Sequence, residues 1–366
     1  MKRTVTVIIF FLDFCTAIFS QGDQVDKYVK DQMQKNHIPG MSVAVVLKGK
    51  IIFHQQYGLA NVEQSIPVTT NSPFKIASLT KPITAMAILL LAEKGKLSLD
   101  STISHYIQDL PVQWNTVTVR QALSHTSGIP DYFQSPDWSW RHSWRLDLTH
   151  DEFLKMTAKA PMRFNPGTGI KYSNSGFYLL GILIEKVSGS SYGEYVDKHI
   201  FKPLQMNSTR RDSSEAIIPN RVSGYIFKDG KLRNAEYTSD TWAYSEGGVI
   251  TTASDLAKLD SALYTDKLLK RSSIEQMWTA SNLSNGQKAV LGDNGAGKPN
   301  YYGLGWAISN YHNHNLILHG GQKPGFSSNY FRFVDDNLTV IVLANLSNSP
   351  LYEIAGSIAD LYFSKK

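Results

Sequence analysis

Strand-like sequence at both ends of the chain encloses a middle that reads as helix, and this order leaves few possible folds. Near the N-terminus, Met41-Ser42-Val43-Ala44-Val45-Val46-Leu47 is an apolar run of strand length. Lys48-Gly49-Lys50 turns the chain and Ile51-Ile52-Phe53-His54 returns, which predicts a hairpin. The last third supplies Gly305-Trp306-Ala307-Ile308, Leu316-Ile317-Leu318-His319, Ser328 to Val334 and Leu338 to Ala344, then a helix from about 351 to 363. In between, Ile83, Met86, Ala87, Leu90 and Leu91 recur at helical spacing before the stop at Gly95. Further helical stretches lie near 23–36, 118–124, 151–159, 175–187, 191–199 and 254–263. The simplest solution is an α/β (α+β) fold in which both ends contribute to one antiparallel sheet flanked by helices, with an all-helical lobe inserted. The expected boundaries are a sheet lobe of about 22–77 and 245–366 and a helical lobe of about 78–244.

The first twenty residues have a different character. Lys2-Arg3 precede the apolar run from Thr4 to Leu12, and Cys15, Ala17 and Ser20 offer small residues for cleavage. This pattern predicts a signal peptide over residues 1–20 and export of the remainder. A membrane anchor is the alternative, but the run is short for a hydrocarbon core of about 30 Å. Lipid attachment at Cys15 is disfavoured by bulky Phe14 before it. Cys15 is the single cysteine, so a processed chain would carry neither a disulfide nor a thiol nucleophile. Export without disulfides suits a bacterial periplasm or medium, with no stable membrane insertion after processing. The formal charge of +6 is dispersed, its longest basic clusters being pairs such as Arg210-Arg211, so nucleic acid is an unsuitable partner. The expected partner is a small-molecule or peptide substrate.

Chemistry concentrates in three short motifs. Ser78-Leu79-Thr80-Lys81 opens the long apolar helix, and residues three apart on a helix share a face. A serine hydroxyl needs an adjacent base, and a lysine supplies one when burial disfavours its ammonium form. The helix N-terminus adds backbone N–H groups near a developing oxyanion. Tyr172-Ser173-Asn174 follows the turn-rich Phe164 to Gly169 and precedes another helix. Neighbouring cations would favour the Tyr172 phenolate, fitting it to shuttle a proton, while the Asn174 amide can hold a substrate carbonyl and orient Lys81. His319-Gly320-Gly321 ends an apolar strand, and its glycines allow a substrate backbone to approach. The N–H of Gln322 would then pair with that of Ser78 as an oxyanion hole.

Several competing patterns occur by chance. Ser72-Pro73-Phe74-Lys75 repeats the serine–lysine spacing, and Tyr311-His312-Asn313 repeats the tyrosine–asparagine spacing within a polar turn. Gly189-Ser190-Ser191-Tyr192-Gly193 matches a nucleophile-elbow pattern but follows a helix rather than the strand that an elbow needs. His312, His314 and His319 lack common zinc spacing and a nearby carboxylate cluster, so no metal or organic cofactor is expected. The aromatic stretch from Tyr132 to Trp144 either packs down or lines a pocket mouth.

Taken together, the motifs resemble the serine β-lactamase and penicillin-recognising family, in particular its class C-like branch with D-alanyl-D-alanine carboxypeptidases, esterases and D-aminopeptidases. The resemblance runs from about residue 25 to 362. It is carried also by Phe74-Lys75-Ile76-Ala77, Leu123-Ser124-His125-Thr126-Ser127-Gly128-Ile129, Glu246-Gly247-Gly248-Val249 with Ser254-Asp255-Leu256, and Pro324-Gly325-Phe326-Ser327-Ser328. It implies Ser78 as acylated nucleophile, Lys81 as its proton partner, Tyr172 as general base and acid, and Asn174 as a substrate-positioning group. His319 stands where many β-lactamases of this group have lysine, and is expected to be a partly charged group near Tyr172 or a substrate carboxylate. Gly320 replaces the usual threonine hydroxyl, a loss of roughly 1.5–3 kcal/mol if that bond went to a charged group. The expected activity is therefore hydrolysis of an amide or ester, with D-amino-acid peptides or small esters favoured. A β-lactamase and a penicillin-binding sensor that is acylated without turnover are the alternatives.

Overall fold

The computed structural model describes residues 21–139, 145–293 and 298–363. Residues 1–20, where the sequence leads one to expect a signal peptide, and Trp140 and Trp144 of the aromatic stretch lie outside the described residues. Nine strands form one antiparallel sheet in the order Ile66–Pro67, Lys50–Asn61, Gly40–Leu47, Leu338–Ala344, Phe326–Phe333, His314–Lys323, Ala307–Tyr311, Pro299–Tyr302 and Val290–Asp293. The two ends of the chain meet in its centre, where Gly40–Leu47 pairs with Leu338–Ala344 in the register Val43↔Val342 and Val45↔Val340.

The continuous apolar run at 41–47 is explained by burial of both faces of that strand. Val43 and Val45 point to one layer with the helix at 21–35 and the closing helix Leu351–Asp360. Ala44 and Val46 point to the opposite layer, against helices that include Thr80–Glu93 and Ala253–Ala262. Residues Thr80 to Leu91 are all buried, so this central helix is enclosed on every side rather than on the one stripe its spacing suggested. Pro82 falls in its first turn, where no intrahelical bond is lost. Among the described residues no helix is long and apolar enough to cross a membrane.

The region between the sheet-forming ends carries helices Val119–Leu123, His150–Thr157, Asn174–Ser188 and Tyr192–Val196. It also contains short strands. Phe74–Lys75, Val249–Thr251 and Arg210–Arg211 form a three-stranded sheet, and Tyr225–Lys228 pairs with Lys231–Asn234. These pieces are two to four residues long and their pairing comes from distant segments or a polar hairpin, so periodicity does not mark them. Strand His314–Lys323 runs four residues past the expected end at His319, a fact that matters for the site. Tyr132 is buried and Trp138 packs 4.5 Å from Trp242 and 5.3 Å from Tyr132, so this part of the aromatic stretch is packed down.

One buried ion pair ties the helix Ala253–Ala262 to the sheet. Asp260 Oδ1 accepts from Tyr330, from Arg332 and, at 2.8 Å, from Thr339, while the Arg332 guanidinium lies 4.1 Å from the Tyr264 ring centroid. Asp260→Ala would leave the Arg332 charge buried and unpaired, at an expected cost of about 3–5 kcal/mol. Urea titration checks this, and a loss below about 1 kcal/mol contradicts it.

Candidate active site

Ser78 sits in a single 3-10 turn, Ala77–Leu79, that links the short strand Phe74–Lys75 to the central helix. The turn is held from both sides. Ile76 N–H donates to Val249 O at 3.1 Å, and Ser328 Oγ donates to Ile76 O at 2.7 Å. Ala77 adopts φ +47°, a left-handed conformation that costs an L-residue roughly 1–2 kcal/mol. Backbone strain beside Ser78 is thus fixed by bonds from two sheets.

One turn on, Lys81 is fully buried. Its Nζ donates to Ser78 Oγ at 3.1 Å, Asn174 Oδ1 at 2.8 Å and the backbone oxygen of Glu246 at 2.9 Å. All three acceptors are neutral. Burial therefore dominates and lowers the amine from 10.5 to about 7, against the attraction of the more distant Glu246 and Asp131 carboxyl groups. Burial likewise pushes Glu246 up to about 7.

Asn174 opens the helix Asn174–Ser188, directly after the N-cap Ser173, whose side chain accepts from Gly176 N–H. Its amide orientation follows from its partners. Asp131 Oδ2 accepts from Asn174 Nδ2 at 3.0 Å and from its backbone N–H at 2.9 Å, so Oδ1 is turned toward Lys81. Tyr172 lies against Ser78, its ring 4.7 Å from Lys81 Nζ. The phenolate expected from neighbouring cations does not form: burial, against the Ser78 hydrogen bond and helped by the Asp131 and Glu246 charges, holds the Tyr172 phenol well above its ordinary value.

His319 also departs from expectation. Its Nδ1–H donates to the Gly320 carbonyl at 2.7 Å, which leaves Nε2 to accept from Tyr302 O–H at 3.0 Å. Burial, then the Lys81 charge, lowers it to about 3. The imidazole is neutral with both nitrogens occupied, so it is not the partly charged donor to a substrate that the sequence suggested. Its ring centroid lies 6.4 Å from that of Tyr172, and the His125 ring fills in with its centroid 4.3 Å from that of Tyr172 and 4.4 Å from that of Tyr302.

Gly321 allows the closest approach in the site. A Cβ there would fall 2.1 Å from Ile76 O and 2.9 Å from Ser78 N, so only glycine lets the strand meet the Ser78 turn. Ser78, Tyr172, His319, Gly320, Gly321 and Gln322 line one cavity of about 670 Å³. The neighbouring strand Ala307–Tyr311 stops pairing at Leu318, so among the described residues the edge of 319–323 on that side has no strand partner. All eight sequence-predicted residues thus converge, Asn174 from behind Lys81 and the others around the cavity or on Lys81 itself. Missed were Asp131, His125, Glu246 and Tyr302. His125 and Glu246 lie in segments already conspicuous in the sequence, whereas Asp131 and Tyr302 carry no signal of their own.

The decoys resolve locally. Lys75 pairs with Asp212 at 3.1 Å, His312 and His314 face Asp360 and Asp336, and Ser191 caps the helix Tyr192–Val196 by accepting from Glu194 N–H.

A half-buried serine beside a buried lysine, between a helix-rich region and an antiparallel sheet, is the arrangement of a serine hydrolase site. Residues 25–362 match the family described as Beta-lactamase, and the chain belongs to that family of serine hydrolases. It is 33% identical to penicillin-binding protein 4* of Bacillus subtilis (strain 168), over 84% of this chain and 68% of the relative. It is 29% identical to protein flp of Staphylococcus aureus (strain MW2), over 89% of this chain and 63% of that protein. The chain thus spans about two thirds of the length of these relatives. A penicillin binding protein from Bacillus halodurans superposes with TM-score 0.76 at 30% identity, covering 91% of this chain and 98% of its own.

Two outcomes follow from the geometry. Lys81 accepts a proton only as free amine, which prevails above its pKa of about 7 and is lost below it. The kcat/KM for a small ester should therefore rise with pH through about 7, and a flat profile from about pH 6 to 8 removes Lys81 as base. Gly321→Ala should displace the Ser78 N–H and lower kcat by about a hundredfold or more with the circular dichroism spectrum unchanged. Full turnover in that variant contradicts the close packing as a requirement.

Proposed function

We propose that this chain is an exported hydrolase that cleaves an amide or ester through an acyl-enzyme on Ser78. The observation that carries the reading is the 3.1 Å contact between Ser78 Oγ and a Lys81 amine buried among neutral acceptors. Lys81 takes the Ser78 proton as Oγ bonds to the substrate carbonyl carbon. The N–H groups of Ser78 and Gln322 hold the resulting oxyanion. Tyr172, a phenol at rest, passes a proton to the departing amine or alcohol and regains one from the Lys81 side. Water then attacks the Ser78 ester, releasing the acid and restoring the hydroxyl.

The unpaired edge of 319–323 suits an extended backbone, which supports a peptide or a small ester as substrate. A β-lactam carboxylate is less well served. Gly320 offers no hydroxyl, and the His319 nitrogens are committed to Gly320 and Tyr302. D-amino-acid peptides or small esters are accordingly favoured over β-lactams. Export rests on the N-terminal pattern of Lys2-Arg3, the apolar run and the small residues that follow.

The test is intact-mass spectrometry and steady-state turnover with a p-nitrophenyl ester, a D-alanyl peptide and a penicillin. A transient adduct on Ser78 with continuing product release is expected for the ester or peptide, and Ser78→Ala and Lys81→Ala should each abolish both while remaining folded. A permanent penicillin adduct with no turnover of the ester or peptide would identify a binding sensor instead. Rapid nitrocefin hydrolysis would identify a β-lactamase.

A further inference from the structure

We propose that Lys323 binds an anionic group on the acyl arm of the substrate and so selects acyl donors that end in a carboxylate. This rests on the acyl-enzyme reading above. Side chains alternate along a strand, so Lys323 points to the same side as Gly321, about 7 Å further along. Gly321 abuts Ser78 N, so Lys323 stands beside the nucleophile on its own side of the sheet.

The cavity holding Ser78 adjoins a second of about 620 Å³ that Lys323 lines with Phe133 and Thr238, and the two share Gln322 and Asn348. The direction of the substrate across this pair follows from the chemistry. The carbonyl oxygen lies between the Ser78 and Gln322 N–H groups, and the proton donor to the leaving group, Tyr172, belongs to the first cavity only. The leaving group therefore departs over His319 and Gly320. The acyl arm runs the other way, past Gln322 to Lys323.

Among the described residues, Lys323 is the uncommitted cation of this wall. Asp212 is held by Lys75 at 3.1 Å and by Arg221 at 3.1 Å. Asp240 is held by Ser214 at 2.9 Å and lies 3.9 Å from Arg211, while Glu246 accepts from Tyr244 N–H. Glu236, in the same cavity as Lys323, faces Arg145 at 4.0 Å. Among the described residues no carboxylate lies within ion-pair distance of Lys323 Nζ. Burial and the neighbouring Lys75 lower the Lys323 amine to about 7, so an arriving carboxylate would restore the ammonium that burial disfavours.

The experiment compares kcat/KM for mono-4-nitrophenyl adipate and 4-nitrophenyl hexanoate, esters of similar reach that differ by a terminal carboxylate. The wild-type chain should prefer the adipate by about tenfold or more. The ratio should fall to near one in Lys323→Met and survive in Lys323→Arg. A wild-type ratio of one or less, or an unchanged ratio in Lys323→Met, overturns the assignment of Lys323 alone. Turnover of neither ester overturns the Ser78 reading and this one with it. A second measurement needs no variant: free adipate should inhibit hexanoate hydrolysis competitively and far better than 1,6-hexanediol, and equal inhibition counts against Lys323.

Discussion

Withdrawal of the Lys81 amine from water, with only neutral oxygens in exchange, is the constraint around which the site is organised. The fall from 10.5 to about 7 corresponds to roughly 5 kcal/mol of disfavour for the ammonium. A carboxylate at hydrogen-bond distance would cancel that effect and leave a permanently charged ammonium, unable to serve as the proposed base. The fold avoids this by directing the carboxylates elsewhere: Asp131 bonds to the Asn174 amide, and Glu246 turns its carboxyl to Tyr244 N–H while giving Lys81 only its backbone oxygen. Both acids remain close enough to attract the amine from a distance, yet neither pairs with it.

That arrangement requires segments far apart in sequence to meet within tenths of an ångström. Asn174 reaches Lys81 across 93 residues and Glu246 across 165. The close approach at Gly321 and the bond from Ser328 to Ile76 O clamp the Ser78 turn against the sheet. The same clamp keeps Ala77 at φ +47°. Strain at one residue is therefore sustained by a sheet whose central strands come from opposite ends of the chain.

Much of this was legible in the sequence, for reasons that differ by residue. The apolar run 41–47 and the run 338–344 announce doubly buried strands, because burial of both faces leaves no polar alternation to confuse the reading. Ser78 and Lys81 are legible because they stand three residues apart where a helix begins, and Tyr172 and Asn174 because they stand at the start of another. Protonation states were not legible. They depend on how completely neighbours exclude water, and on which way an amide or imidazole faces, neither of which a spacing encodes. Tyr172 was expected as a phenolate and His319 as partly charged. Burial reverses the first, and the Gly320 carbonyl with Tyr302 O–H settles the tautomer of the second. Asp131 was invisible because its role is to orient Asn174 through two bonds, without touching Lys81 directly.

The neutral His319 also explains why this strand can tolerate glycine at 320. In a site that grips a substrate carboxylate from the strand, a cation and a hydroxyl would share that task. Here the imidazole turns inward, its Nδ1–H closing on the Gly320 carbonyl and its Nε2 on Tyr302, so at 319–321 the strand presents backbone rather than charge. Under the proposed function, recognition through that edge would depend on main-chain hydrogen bonds, which fix direction and register but discriminate little between side chains. On the reading proposed above, selectivity for a charge on the acyl side would come from the end of the strand, where the cavity past Gln322 begins and where Lys323 stands.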